Sequence, residues 1–261
     1  MNVISLITDF GLTDNFAGVI KAVILKINPD AQIVDICHEV RPQDITQAAF
    51  LLKASFKYFP FGTIHLVVVD PKVGSKRKKI VVKTRNYYFI APDNGVLWPT
   101  LKDELPIEII EIANDKYFLK PTSDTFHGRD IFAPIAAYIS KGKDISEFGK
   151  RIRSIKELVL PRVKIIPKVL TGEIIYIDRF GNLISNIDKD ILYNFIENRK
   201  FKISIKNKTI YRISNNYTEV PNLKPLALID SYNYLEIAIN CGSACNYLHV
   251  HKGTKIKVKR V

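Results

Sequence analysis

The chain has 261 residues, 47% of them apolar and 25% charged, enough for one or two domains around a sizeable core. No apolar run approaches the roughly 20 residues that a membrane helix needs, so no membrane partner is expected. The formal charge of +13 invites a nucleic-acid partner, but the lysines are spread out and come without a zinc finger or an RNA-binding aromatic motif, so none is expected.

The opening residues, MNVISLITDFG, lack a basic leader and read as a first β-strand over 3–8, with Asp9 at its end. Phe16, Val19, Ile20, Val23 and Ile27 recur at helical spacing, which predicts a helix over 15–28, capped by Asp14 and stopped by Pro29. A second strand is expected over 32–36. A second helix is expected over 42–58, with Ile45, Ala49, Leu52 and Phe56 on one face. The run 64–69 is apolar and β-branched enough for a strand buried on both faces. Pro71 and Gly74 stop it, leaving Asp70 at its carboxyl end and Arg77 on the departing loop. This β-α-β-α-β order implies a mainly parallel sheet with right-handed crossovers. Asp9 and Asp70 then share one rim, the place where ligands bind in open α/β sheets.

Two more strands are expected over 80–83 and 87–91, the second running into the turn Pro92-Asp93-Asn94-Gly95. His127 lies on a loop entering an apolar helix over 131–139. The basic, Pro-containing stretch 151–168 reads as a linker between an α/β domain over 1–150 and a second domain over 169–261. That second domain holds short candidate strands over 173–177, 201–205, 209–213, 226–229, 234–239 and 255–258, without long helices. Such spacing predicts a small antiparallel β-barrel or sandwich, with two polar loops at 178–182 and 230–233. Cys37, Cys241 and Cys245 are odd in number and lack paired metal spacing, which fits a reducing cytoplasm.

Several look-alikes fall away. Asp9-Phe10-Gly11 and His127-Gly128-Arg129-Asp130 share letters with kinases, but no glycine-rich loop or strand lysine precedes them. No G-x-G-x-x-G follows the first strand, so a dinucleotide cofactor is not expected. Asp9, Asp14 and Asp70 lack His and Asn ligands in a compact motif, so no metal is expected either. Taken singly, Arg77 reads as a surface arginine beside three lysines, and His127 as a loop-capping imidazole.

Six segments taken together say more. They are TDFG-x2-D at 8–14, VDP-x-VG-x2-R at 69–77, IAPDNG at 90–95, TFHGRDIFAP at 125–134, IDRFGNL-x-SNI at 177–187 and DS-x3-LEIAIN at 230–240. In this order they resemble the S-adenosyl-L-methionine (SAM) hydrolases, or hydroxide adenosyltransferases, relatives of the fluorinase and chlorinase enzymes. The resemblance spans nearly the whole chain. It implies an N-terminal α/β domain, a C-terminal β-barrel and a homotrimer with sites between neighbouring subunits. The implied reaction is hydrolysis of SAM to adenosine and L-methionine by water attack at C5′, with SAM as substrate and no cofactor.

By position, the resemblance implies a catalytic triad of Asp70, Arg77 and His127, with Asp9 on the ribose hydroxyls and Asp70 also in contact with substrate. It implies Asn182 as reader of adenine with Phe180 beside the purine, and Asp178 and Ser231 on the amino and carboxylate groups of methionine. Glu236 and Ile239 lie on the strand lining that pocket. Tyr232 is a departure, since halogenases carry an arginine there, and halogenases have tyrosine where this chain has Asp70 and His127. The chemistry is plausible for this set. A sulfonium departs as a neutral thioether, so the need is for an oriented, activated water rather than for an acid. Asp70 and His127 would orient the water or accept its protons, and Arg77 would stabilise hydroxide character. Other readings are a halogenase-like enzyme acting on SAM, a non-catalytic protein binding adenosine or SAM, and an RNA-binding protein. A buried carboxylate beside a halide opposes the first.

Overall fold

A computed structural model describes residues 3–261 as two compact units, one ending at Leu158 and the other beginning at Val159. In the first unit the chain runs β1 (Val3–Thr8), α1 (Phe16–Ile27), β2 (Gln32–Cys37), α2 (Ile45–Ser55), β3 (Ile64–Val68), β4 (Lys79–Thr84), β5 (Tyr88–Pro92), α3 (Trp98–Leu101), β6 (Pro106–Ile112), α4 (Ala133–Ser140) and β7 (Gly149–Arg151). The strands form one sheet in the order β2-β1-β3-β5-β4-β6-β7. It is parallel from β2 to β5 and antiparallel from β5 to β7, so the sheet is mixed.

The core lies on both faces of this sheet. Ile4, Leu6, Ile64, Leu66 and Val68 face one cluster, which holds Ile20 and Ile24 of α1 and the apolar residues of α4. Ile7, Val67 and Val69 face the other, with Ala48, Ala49 and Leu52 of α2. Strand alternation thus sends neighbouring side chains into separate cores, and each full burial of an Ile or Leu contributes ~1.5–3 kcal/mol. Since α1 and α2 lie on opposite faces, the chain changes direction between β1 and β3. The carboxyl ends of those strands open on a topological switch point, where such sheets bind ligands.

Local details correct the sequence reading. Asn15, not Asp14, holds the N-cap position of α1, and no side chain caps it. The helix expected from residue 42 begins at Ile45, because Asp44 accepts the Gln47 N–H at 2.9 Å while Gln43 is left-handed at φ 66°. Its last turn is a 3₁₀ turn, Phe56–Tyr58. The helix after His127 opens with a π turn, Gly128–Phe132, before α4 begins.

In the second unit the chain runs β8 (Lys164–Ile166), β9 (Val169–Ile177), β10 (Leu183–Asp188), α5 (Lys189–Ile196), β11 (Phe201–Ile205), β12 (Lys208–Ile210), β13 (Pro225–Ile229), β14 (Tyr234–Ile239), α6 (Ala244–Leu248) and β15 (Lys255–Arg260). These strands pair antiparallel in the order β12-β11-β15-β9-β10-β14-β13, with β8 also on β9. A bridge between Ser214 and Leu228 draws the chain after β12 towards β13, so the barrel is nearly closed. Leu170, Ile174, Leu183, Ile203, Leu235, Ile237, Ile256 and Val258 fill its interior. Seven of the described elements were not foreseen, namely α3, β6, β7, β8, β10, α5 and α6. The strand β6 begins on a proline, β10 carries a buried Ser185, whose hydroxyl donates to the Leu235 carbonyl at 2.8 Å, and α5 is only eight residues long.

Candidate active site

In the register of β1 on β3, Thr8 lies opposite Val68, so Asp9 and Asp70 leave adjacent parallel strands within one residue of each other's level. Asp9 is half-buried and its Oδ2 accepts the Gln43 N–H at 2.8 Å. The left-handed backbone of Gln43 aims that N–H, a conformation costing a non-glycine residue about 1 kcal/mol or more. Burial pushes the Asp9 carboxyl above its usual range, and the charge of Asp70 adds to that push.

Asp70, Arg77 and His127 converge. Arg77 Nε donates to Asp70 Oδ1 at 2.7 Å and Nη2 donates to Asp70 Oδ2, a bidentate pair in which each side chain is only 6% exposed. Arg77 Nη2 also lies 2.9 Å from His127 Nδ1. A guanidinium has no acceptor, so Nδ1 must present a lone pair, and the neutral imidazole then carries its proton on Nε2. Burial, helped by the positive charges of Arg77 and Lys79, lowers the His127 pKa and so agrees with that tautomer. Arg77 Nη1 is buried and finds no hydrogen-bond partner among the described residues.

The loops carrying these groups are locked together. Gly74 has φ +78°, and a Cβ there would sit 2.6 Å from the Asp124 carbonyl oxygen. The Asp70–Arg77 loop can therefore approach the loop before His127 only with glycine at this position. Asp130, fully buried, accepts the Ser123 N–H at 2.7 Å and a forked contact from Arg129, fixing that second loop. Asp9, Asp70 and His127 line a cavity of about 740 Å³ whose apolar wall includes Phe10, Phe16 and Phe126.

The second unit has its own cavity of about 550 Å³, lined by Asp178, Phe180, Asn182, Tyr217, Ile239, Cys241 and Gly242. Asp178 Oδ1 accepts the N–H groups of Phe180 and Asn182, and its Oδ2 accepts the Asn182 side-chain amide at 2.9 Å. That contact uses the amide nitrogen of Asn182 and not its carbonyl oxygen, while Phe180 stands 75% exposed. Gly181 closes the turn against Ser243, where a Cβ would clash at 2.1 Å. Glu236 is 3% exposed and accepts the Tyr217 hydroxyl at 3.0 Å. Burial raises its pKa to about 7. Ser231 is on the separate turn 230–233, outside the lining of this cavity. There Asp230 Oδ1 accepts the N–H groups of Tyr232 and Tyr234.

Family models for the N-terminal and C-terminal domains of SAM hydroxide adenosyltransferase match residues 4–149 and 172–257. The chain belongs to the SAM hydroxide adenosyltransferase family. A relative from Methanocaldococcus jannaschii, named (R)-S-adenosyl-L-methionine hydrolase, is 34% identical over 99% of this chain and 96% of its own length. A fluorinase from Nocardia brasiliensis is 23% identical over 98% of this chain and 96% of its own. The crystal structure of an uncharacterized conserved protein from Thermotoga maritima superposes with a TM-score of 0.91 at 38% identity, covering 99% of this chain and 100% of the other.

For this family member, the structure brings Asp9, Asp70, Arg77 and His127 together in the first unit. Asp178, Phe180, Asn182 and Ile239 gather in the second, and Glu236 joins them through Tyr217. Sequence reasoning missed three residues that shape the site. Gln43 acts through a backbone N–H that carries no side-chain signal. Tyr217 stands in the polar stretch Asn215-Asn216-Tyr217-Thr218, far in sequence from its partner. Asp130 lay inside a motif that was read only for its histidine. Among the described residues, no group of three or more His, Cys, Asp or Glu side chains is arranged to hold a metal ion, and both oxygens of Asp70 are engaged by Arg77.

Proposed function

We propose that the protein hydrolyses SAM to adenosine and L-methionine, with water attacking C5′ in line with the departing sulfur. The observation that carries this reading is the convergence of Asp70, Arg77 and His127, with Asp70 and His127 on the wall of the cavity. The guanidinium charge beside Asp70 and His127 favours an oxygen with anionic character in the adjoining cavity. The Nε2–H of His127 is a second donor for the same oxygen. Asp70 keeps further lone pairs after pairing with Arg77, and these accept the proton of the water. The C5′–O bond forms as the C5′–S bond breaks, the electron pair leaves with the neutral thioether, and one proton is released.

Asp9 holds the ribose hydroxyls, Asn182 reads adenine with Phe180 against the purine, and Asp178 and Ser231 take the amino-acid end, with Glu236 and Ile239 along the same strand. The two half-sites work together between neighbouring subunits of a homotrimer, in the cytoplasm, without a metal or other cofactor. The three unpaired cysteines are in keeping with a reducing compartment. The deciding experiment incubates the protein with SAM in EDTA and separates the products. Adenosine and methionine in equal amounts are expected, and free adenine instead would sink the reading. For the assembly, mixing Asp70→Ala and Asn182→Ala chains is expected to restore part of the activity. Verified mixed oligomers that stay inactive would argue for a site within one subunit.

A further inference from the structure

Behind Asp9 runs a chain of polar contacts that the reaction above does not use. The Phe10 N–H donates to Thr8 Oγ1 at 3.3 Å, and Thr8 Oγ1 lies 2.8 Å from His38 Nδ1. His38 Nε2 lies 3.0 Å from Asp35 Oδ1, and Lys21 Nζ donates to Asp35 Oδ2 at 2.5 Å. That Nε2 contact lacks hydrogen-bond geometry, so the Thr8 hydroxyl at Nδ1 is what fixes the imidazole ring. Thr8 is fully buried and His38 is 4% exposed, whereas the Asp35 side chain is 40% exposed. The chain therefore runs from the surface to the end of β1, the residue before Asp9.

The backbone reinforces it. The Gly11 N–H donates to the His38 carbonyl at 2.8 Å, and the Val40 N–H donates to the Thr8 carbonyl at 3.3 Å. The segment that begins at His38 continues to Gln43, whose N–H holds the Asp9 carboxylate. Asp9 is thus gripped on both sides by one loop, by its carboxylate through Gln43 and by its flanking residues through His38. A buried hydroxyl and imidazole are costly where valine and phenylalanine would fill similar space, so what they add here is direction.

We propose that His38, acting through Thr8, is a positioning residue that orients the Asp9 carboxylate towards the vicinal diol of a ribose. The proposal rests on the reading of Asp9 as the ribose acceptor. His38 itself touches no substrate.

The test compares Thr8→Val, Thr8→Ser and His38→Phe, alone and in an Asp9→Asn background, by SAM kinetics and by calorimetric binding of adenosine. Thr8→Val and His38→Phe are each expected to raise KM and the adenosine Kd about 10-fold while kcat stays within about 3-fold, and Thr8→Ser is expected to match the parent. In the Asp9→Asn background neither change should weaken binding further, because residues acting through one group are not additive. An unchanged KM in Thr8→Val overturns the proposal, as does a penalty of the same size after Asp9 is replaced. Asp9→Asn binding adenosine as tightly as the parent removes the ribose reading, and the positioning role falls with it. Thr8→Val and Thr8→Ser differ little in shape from threonine, so the comparison stands even where His38→Phe lowers the melting temperature.

Discussion

The two clusters of candidate residues, one in each unit, are built by different means. In the first unit, functional side chains extend from the ends of parallel strands and hold one another by charge, Asp70 to Arg77 and Arg77 to His127, almost out of solvent. In the second, turns do the holding, with Asp178 and Asp230 each collecting backbone N–H groups to set the shape of a loop. A buried ion pair is intolerant of losing one member, since the other is left uncompensated. A turn that loses a hydrogen bond relaxes and keeps part of its shape. On the proposed function, chemistry falls to the first arrangement and recognition to the second.

The largest break in that contrast should come from the triad. Asp70→Ala, Arg77→Ala and His127→Ala are each expected to lower kcat about 10²-fold or more, with double replacements costing little beyond the worst single one. Single-turnover release of adenosine measures this, and near-parental release from Asp70→Ala would take the triad out of the mechanism. The acid limb of the rate profile is the next largest effect. Protonated His127 would set an N–H against the N–H of Arg77, so activity should be level near neutrality and fall about tenfold per pH unit below a pKa lying under 6.5. Since the positive charge of Lys79 helps to depress that pKa, Lys79→Met should move the limb upward, and an unmoved limb would contradict the cause given.

Glycines sharpen the comparison further. Gly74→Ala forces a Cβ against the Asp124 carbonyl and should lower kcat about 10-fold by parting the catalytic loops, while Gly181→Ala should instead raise KM by a similar factor. Equal effects on the same constant would dissolve the division of labour. The smallest effect concerns stability. The Glu236 carboxyl is raised on folding from 4.5 to about 7, so its contribution is fully present below about pH 4.5 and is lost as pH rises through 7. Glu236→Gln keeps an acceptor for Tyr217 and should gain roughly 2 kcal/mol on the parent between about pH 5 and about pH 8 in denaturant melts. A constant difference across that range would show that Glu236 does not titrate there.

How much of this could be read in advance follows from how local each cause is. Asp9 and Asp70 were legible because a buried strand followed by Pro or Gly is a local pattern, and the alternation of strands and helices places them on one rim. The antiparallel half of the sheet was not legible. Short strands such as Lys79–Thr84 and Tyr88–Pro92 look alike in either direction, and Pro106 disguises the start of β6. Nor could the sequence reveal the left-handed Gln43, whose N–H meets the Asp9 carboxylate only in the folded chain. The meeting of Tyr217 with Glu236 depends on the barrel being folded.

The shared guanidinium has a consequence for turnover. With Asp70 anionic, Arg77 cationic and His127 neutral, the triad sums to zero, so an ionised Asp9 and Asp14 on the same cavity wall leave a surplus of negative charge there. On the proposed reaction, SAM arrives with one net positive charge, and adenosine and methionine leave with none. Attraction that draws the substrate in is thereby extinguished by the reaction itself, so the same carboxylates that favour capture of the sulfonium have no hold on what remains. Weak product inhibition, fading no further in high salt, is the behaviour such a site would display.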